Sequence, residues 1–126
     1  MTIHKGDTVS WRVHLFHNIA LDPPEGIVGA IAKDAKGAIQ FNGPVVAATN
    51  SKGQAPPITL FFPPPAGAKP ITVDGGPWDG KSFRNSGLLG SIVPEIITYK
   101  TTFTTAGTYR LQCLLHPDMK GTVTVI

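Results

Sequence analysis

A single cysteine in 126 residues leaves no internal disulfide to staple the fold, so Cys113 is a buried thiol, a reactive one or a ligand. Charge is scarce as well, at 15% of residues, and the basic side chains stand singly from Lys5 and Arg12 to Arg110 and Lys120. With no basic cluster, a net charge of +3 argues against nucleic acid as a partner. Nor does any apolar run approach the ~20 residues that a membrane-spanning helix needs, so no span is expected in this chain. What the sequence has in excess is Gly and Pro, 14 and 12 of them. That is too many for a helical bundle and favours short strands joined by turns. A hydrophobic share of 41% and a mean hydropathy of +0.07 suit a folded globular chain. Its length suits one domain, residues 1–126.

Residues 8–17 alternate after a Lys5-Gly6-Asp7 turn. Val9, Trp11, Val13, Leu15 and His17 fall on one face of a half-buried strand, with Ser10, Arg12, His14 and Phe16 on the other. His17 is thereby in phase with the core face, while His14 and His4 are expected to be solvated. The stretch 22–76 is an atypical insertion, broken by Pro23-Pro24, Gly43-Pro44, Pro56-Pro57, Pro63-Pro64-Pro65 and Gly75-Gly76. Ile58–Phe62 and Ile71–Val73 read as strands, and Lys33–Asn50 as either a short helix or a strand pair. Trp78-Asp79-Gly80 reads as a turn. Beyond Asn85-Ser86-Gly87, strands are expected at Thr98–Thr104, Thr108–Cys113 and Thr122–Ile126, with Val123 and Val125 inward. A turn at Thr105-Ala106-Gly107 and a loop at Leu114–Gly121 separate them. In the second strand Tyr109, Leu111 and Cys113 share a face. Seven or so short strands at this spacing make an all-β sandwich the leading architecture.

The chemistry concentrates in Cys113-Leu114-Leu115-His116-Pro117-Asp118-Met119. Thiolate, imidazole and thioether are all copper-compatible donors, and this Cys-x2-His-x2-Met spacing lets one loop wrap one ion. A second imidazole from a distant strand completes the trigonal His2Cys set with a weak axial Met that defines a blue-copper site. His17, at the end of the other core-phased strand and followed by Asn18, is the candidate.

At these residues the sequence resembles the cupredoxins. His17-Asn18-Ile19 looks like the His-Asn-Val step of plastocyanin and amicyanin. The run from Tyr109 to Val125 looks like the family's C-terminal signature in the short-loop form of amicyanin. Gly6-Asp7-Thr8-Val9-Ser10-Trp11 and Asn85-Ser86-Gly87-Leu88-Leu89 are similar to further stretches of bacterial and archaeal plastocyanin-like proteins. The likeness covers residues 2–21 and 77–126 and hardly touches 22–76.

The resemblance implies a Greek-key sandwich with one type 1 copper cycling between Cu(I) and Cu(II). His17, Cys113 and His116 would be equatorial ligands and Met119 the axial one. Asn18 would bridge to the backbone of the Cys113 loop, holding that loop at a fixed distance from His17. His116 would lie nearest solvent within an electron-exit surface of Leu114, Leu115 and Pro117. It also implies a redox partner protein, such as a cytochrome, oxidase or dehydrogenase, and a periplasmic or other extracytoplasmic setting. A membrane anchor would belong to the full-length precursor. Cupredoxins carry a strand ahead of the Gly-Asp-Thr turn that this chain all but lacks. A trimmed domain, or an edge filled by the insertion or by self-association, follows as an expectation.

Electron transfer is the first function these residues suggest. Copper storage, delivery or sensing without electron transfer is the alternative, since a Cys-His-Met set also holds Cu(I). Catalysis is not expected. One cysteine cannot bridge a dinuclear copper site, Gln112 and Leu114 flank it where multicopper enzymes place histidine, and four histidines cannot build a trinuclear centre.

Overall fold

The computed structural model describes residues 1–25, 29, 31–41, 59–61, 66–92, 96–116 and 118–126. Those residues are all-β, with thirteen strands in four sheets and neither a helix nor a closed barrel among them. The first four strands are β1 (Thr2–Ile3), β2 (Thr8–Val13), β3 (Leu15–His17) and β4 (Ala20–Leu21). Then come β5 (Ile31–Lys33), β6 (Ile39–Phe41), β7 (Thr59–Phe61), β8 (Ile71–Trp78), β9 (Arg84–Asn85) and β10 (Leu89–Ser91). The last three, β11 (Ile97–Phe103), β12 (Gly107–Gln112) and β13 (Lys120–Val125), match the expected C-terminal strands closely.

Five strands pair in the order β1-β13-β12-β4-β9, and three in each of the orders β2-β11-β8 and β3-β10-β7. One apolar cluster joins the first two of these sheets. Val9 and Val13 of β2, Ile97, Tyr99 and Phe103 of β11 and Trp78 of β8 pack with Leu21, Tyr109, Val123 and Val125. Side chains from two sheets meeting in one core are what a β-sandwich requires. Val123 and Val125 point inward as their alternation dictates.

Three expectations need correction. The strand thought missing is there in short form. Thr2 and Ile3 lie parallel to Thr124 and Val125, with Thr124 N–H donating to Met1 O and Ile126 N–H to Ile3 O, both at 2.9 Å. The outer edge of β13 is therefore covered by the chain itself.

The alternation of residues 8–17 does not run through one strand. Val13 pairs with Ile97 in one sheet, whereas Leu15 pairs with Ser91 in another. The chain makes that jump with Leu15 at φ +61°, a left-handed conformation costing about 1–2 kcal/mol for a residue with a Cβ. The jump breaks the two-residue period, and Leu15 is half exposed rather than core.

The third correction lengthens a strand. β8 continues through Gly75-Gly76 to Trp78 because the glycines form a bulge within it: Lys100 pairs with Asp74 and Thr102 with Pro77, so the extra residue lies in β8. Within the former insertion, 31–41 resolves to a strand pair, β5 against β6. Asp34 Oδ1 turns the corner by accepting from the Lys36 and Ala38 N–H groups. The strand expected at Ile58–Phe62 is present at Thr59–Phe61, with its two end residues and the second half of Lys33–Asn50 outside the described residues.

Among the described residues no buried side-chain N or O lacks a partner. Tyr99 is a case with a measurable consequence. Burial pushes its phenol pKa up, against the opposing Thr101 hydroxyl and Arg84. The native state thus holds the neutral phenol, while the unfolded chain ionises it near the ordinary value of about 10. The stabilisation is complete below that value and is lost as pH rises through the higher native pKa. Urea midpoints should fall as pH rises above about 10, and Tyr99→Phe should remove part of that fall.

Candidate metal centre

Two non-local pieces of backbone build the site. β3 ends at His17, and Asn18 and Ile19 lead into β4. β12 delivers Cys113, and the loop after it returns at Lys120 to start β13. They are brought together because β12 pairs with β4 (Gln112 opposite Ala20), which lays Cys113 beside Asn18.

The loop is closed by its own backbone. Cys113 N–H donates to Met119 O at 2.9 Å, Met119 N–H to His116 O at 2.9 Å and Lys120 N–H to Asp118 O at 3.1 Å. His116 N–H turns back to Cys113 O at 3.3 Å. A tight turn of this kind puts the Cys113 and His116 side chains on one side.

Cys113 Sγ lies 3.8 Å from His17 Nδ1 and 3.5 Å from His116 Nδ1. One ligand atom from each of the three residues falls within 4.8 Å of the others, the one such group of His, Cys, Asp or Glu among the described residues. These separations can be tested against a metal. Bonds of about 2.3 Å to sulfur and about 2.0–2.1 Å to nitrogen, at tetrahedral to trigonal angles, place sulfur and nitrogen about 3.5–3.8 Å apart. The observed distances fit, so the group can hold a metal ion.

Electrostatics favour the ligand form of His17. Burial lowers its pKa first and the neighbouring His116 lowers it further, while a bond with the His14 backbone partly opposes them. Neutral imidazole is the form that binds metal. His14 itself is exposed, and His4 is exposed beside Asp7 at 3.7 Å.

Asn18, 1% exposed, sits at the junction of the two pieces. Its backbone N–H points at Cys113 Sγ at 3.4 Å, and its Oδ1 accepts from Leu114 N–H at 3.4 Å. Met119 lines, together with Trp11, Arg12, His17, Cys113 and Lys120, a depression of about 520 Å³, and is itself half exposed. The outward face differs from expectation at Leu114. It is only 4% exposed and packs on Ala20 with Phe83, because the Asn18 bond draws its backbone inward. His116 is exposed and Leu115 half-buried, so these two form the surface over the site; Pro117 lies outside the described residues.

Sequence reasoning singled out the donors but assigned no role to Asn85 and Ser86, which pack under Asn18 and are both buried. Their only signal was the resemblance of Asn85-Ser86-Gly87. Comparison with protein-family models, with curated proteins and with solved structures finds no match to this chain.

Proposed function

We propose that this chain is a one-electron carrier of the cupredoxin kind, holding one type 1 copper on His17, Cys113, His116 and Met119. The observation that carries the reading is the spacing of Cys113 Sγ from two imidazole nitrogens, 3.8 and 3.5 Å, with a methionine in the same loop. Cysteine, two histidines and a weak methionine form the donor set of blue copper. Bound there, copper would supply a Cu(I)/Cu(II) couple. The chain's own task is to keep its donors still between the two states. Asn18 fastens the Cys113 loop to the His17 segment, and the loop's internal bonds hold the donors within it. His116, exposed and beside Leu115, is where an electron leaves for a redox partner protein such as a cytochrome, oxidase or dehydrogenase.

A Greek-key connection is part of the same reading. Tyr109 Oη donates to Thr105 O at 3.1 Å, four residues upstream, a tyrosine corner of the type found in such sandwiches. An extracytoplasmic setting also belongs to it. No helix among the described residues is long and apolar enough to cross a membrane.

Titrating reduced apo-protein with Cu(II) tests the proposal. An intense thiolate-to-copper band saturating at one copper per chain is expected, and its absence would remove the type 1 assignment. Met119→Gln should lower the reduction potential with copper still bound, since the weak axial ligand tunes it. An unchanged potential would take Met119 out of the ligand set.

One observation favours the alternative of copper storage or delivery. Two donor residues, His116 and Met119, are exposed, which lets an acceptor exchange ligands stepwise. A carrier cycles reversibly at an electrode and keeps its copper against a competing chelator; a delivery protein surrenders it.

A further inference from the structure

Asn18 alone does not determine which end of its amide faces Cys113. A carboxamide presents oxygen on one side and NH2 on the other, and only oxygen can accept from Leu114 N–H. The choice is made by the neighbouring segment, residues 85–87. Asn18 Nδ2 donates to Asn85 Oδ1 and, at 3.2 Å, to Gly87 O. Asn85 Oδ1 is itself held as an acceptor by Gly87 N–H at 3.0 Å. The orientation of both amides is thus referred to one stretch of backbone, and Asn18 Oδ1 is left toward Leu114.

The same segment fixes where Asn18 sits. Ser86 Oγ accepts from Ile19 N–H at 2.8 Å and donates to Gly87 O at 2.8 Å, and Ser86 N–H donates to Ile19 O at 2.9 Å. β9 is anchored in turn by Arg84, 4% exposed, whose guanidinium donates to Gly75 O and, at 3.2 Å, to Pro77 O in β8. Asn85 and Ser86 are 0% and 3% exposed, so water does not compete for these bonds.

We propose that Asn85 is the positioning residue of the metal centre: its amide orients Asn18, and through Asn18 it holds the Cys113 loop against His17. The proposal rests on the metal reading for its purpose but not for its test, because apo-protein reports on it directly. Ser86 is assigned a different part, bonding the backbone without orienting the amide.

The experiment compares Asn85→Ala, Asn85→Asp, Ser86→Ala, Asn18→Ala and the Asn18→Ala/Asn85→Ala double variant as apo-proteins. Two rates are read: hydrogen exchange of the Leu114 amide and alkylation of Cys113 by iodoacetamide. Asn85→Ala should raise both about tenfold, the equivalent of one hydrogen bond. Asn85→Asp keeps the accepting oxygen but buries a carboxyl, so its rates should lie between those of wild type and Asn85→Ala. The double variant should match Asn18→Ala, because the two residues act in series. Ser86→Ala should lower the melting temperature without moving either rate.

Wild-type rates in Asn85→Ala, or rate increases that multiply in the double variant, would overturn the proposal. So would fast solvent exchange of the Asn18 Nδ2 protons in unmutated apo-protein, a measurement needing no variant to fold. In copper-loaded protein, Asn85→Ala should also shift the thiolate band and the potential. A wild type that takes up no copper would defeat the functional reading while leaving the apo result standing.

Discussion

Cys113→Ser should abolish the thiolate-to-copper band completely and weaken copper binding by more than the about 10–100-fold that loss of an outer supporting partner costs. The reason is chemical rather than steric. The hydroxyl that replaces the thiol is not deprotonated near neutral pH and gives up the soft donor that selects copper. The hydroxyl can still accept the Asn18 N–H that now points at sulfur at 3.4 Å. Apo-protein should therefore melt close to wild type. A variant that kept the band would put copper elsewhere, and one that failed to fold would make Cys113 structural first.

The second large effect is expected far from the donors. Gly80→Ala should destabilise the fold by about 2–4 kcal/mol, lowering the melting temperature by roughly 10 °C. Gly80 lies at φ +77°, where side chains are strained, and a Cβ there would come within 2.7 Å of Tyr109 Cζ and Oη. Tyr109 cannot yield. Its ring is wedged against Trp78 at 4.8 Å and its hydroxyl is tied to Thr105 O. Gly37→Ala is the control, since Gly37 has a similar φ of +79° and open space around it. It should cost only the backbone strain, about 1–2 kcal/mol. Equal effects at the two positions would show that the Tyr109 contact contributes nothing.

The C-terminal half was legible because its information is local. β11 alternates over its seven residues, β12 around Tyr109 and β13 from Val123 to Val125, and three proposed donors fall within one loop. His17 is a different case. Its place beside Cys113 was inferred from an unbroken two-residue phase, yet the chain turns at Leu15 and changes sheets before reaching it. Geometry brings His17 to the cluster because Leu89 pairs with it, which no alternation in residues 8–17 encodes. Asn85 and Arg84 were silent for the same kind of reason. A two-residue strand has no period, and its role exists only once β4 lies beside it. Gly75-Gly76 misled by its chemistry, since a strand can run on through two glycines when they form its own bulge.

The proposed donors are distributed unevenly along the chain: Cys113, His116 and Met119 stand within seven residues, while Cys113 and His17 are 96 apart. By the logarithmic law of chain closure, bringing in His17 costs about 2 kcal/mol more than closing the loop alone. On the proposed ligand set, an unfolded chain would still offer a metal the donors of the loop. Binding to the unfolded state subtracts from whatever the metal contributes to stability. The rise in melting temperature on metal addition should accordingly fall short of the value calculated from the native affinity, and the shortfall measures how much of that affinity the loop already has on its own. What folding adds is His17 and a rigid frame around it.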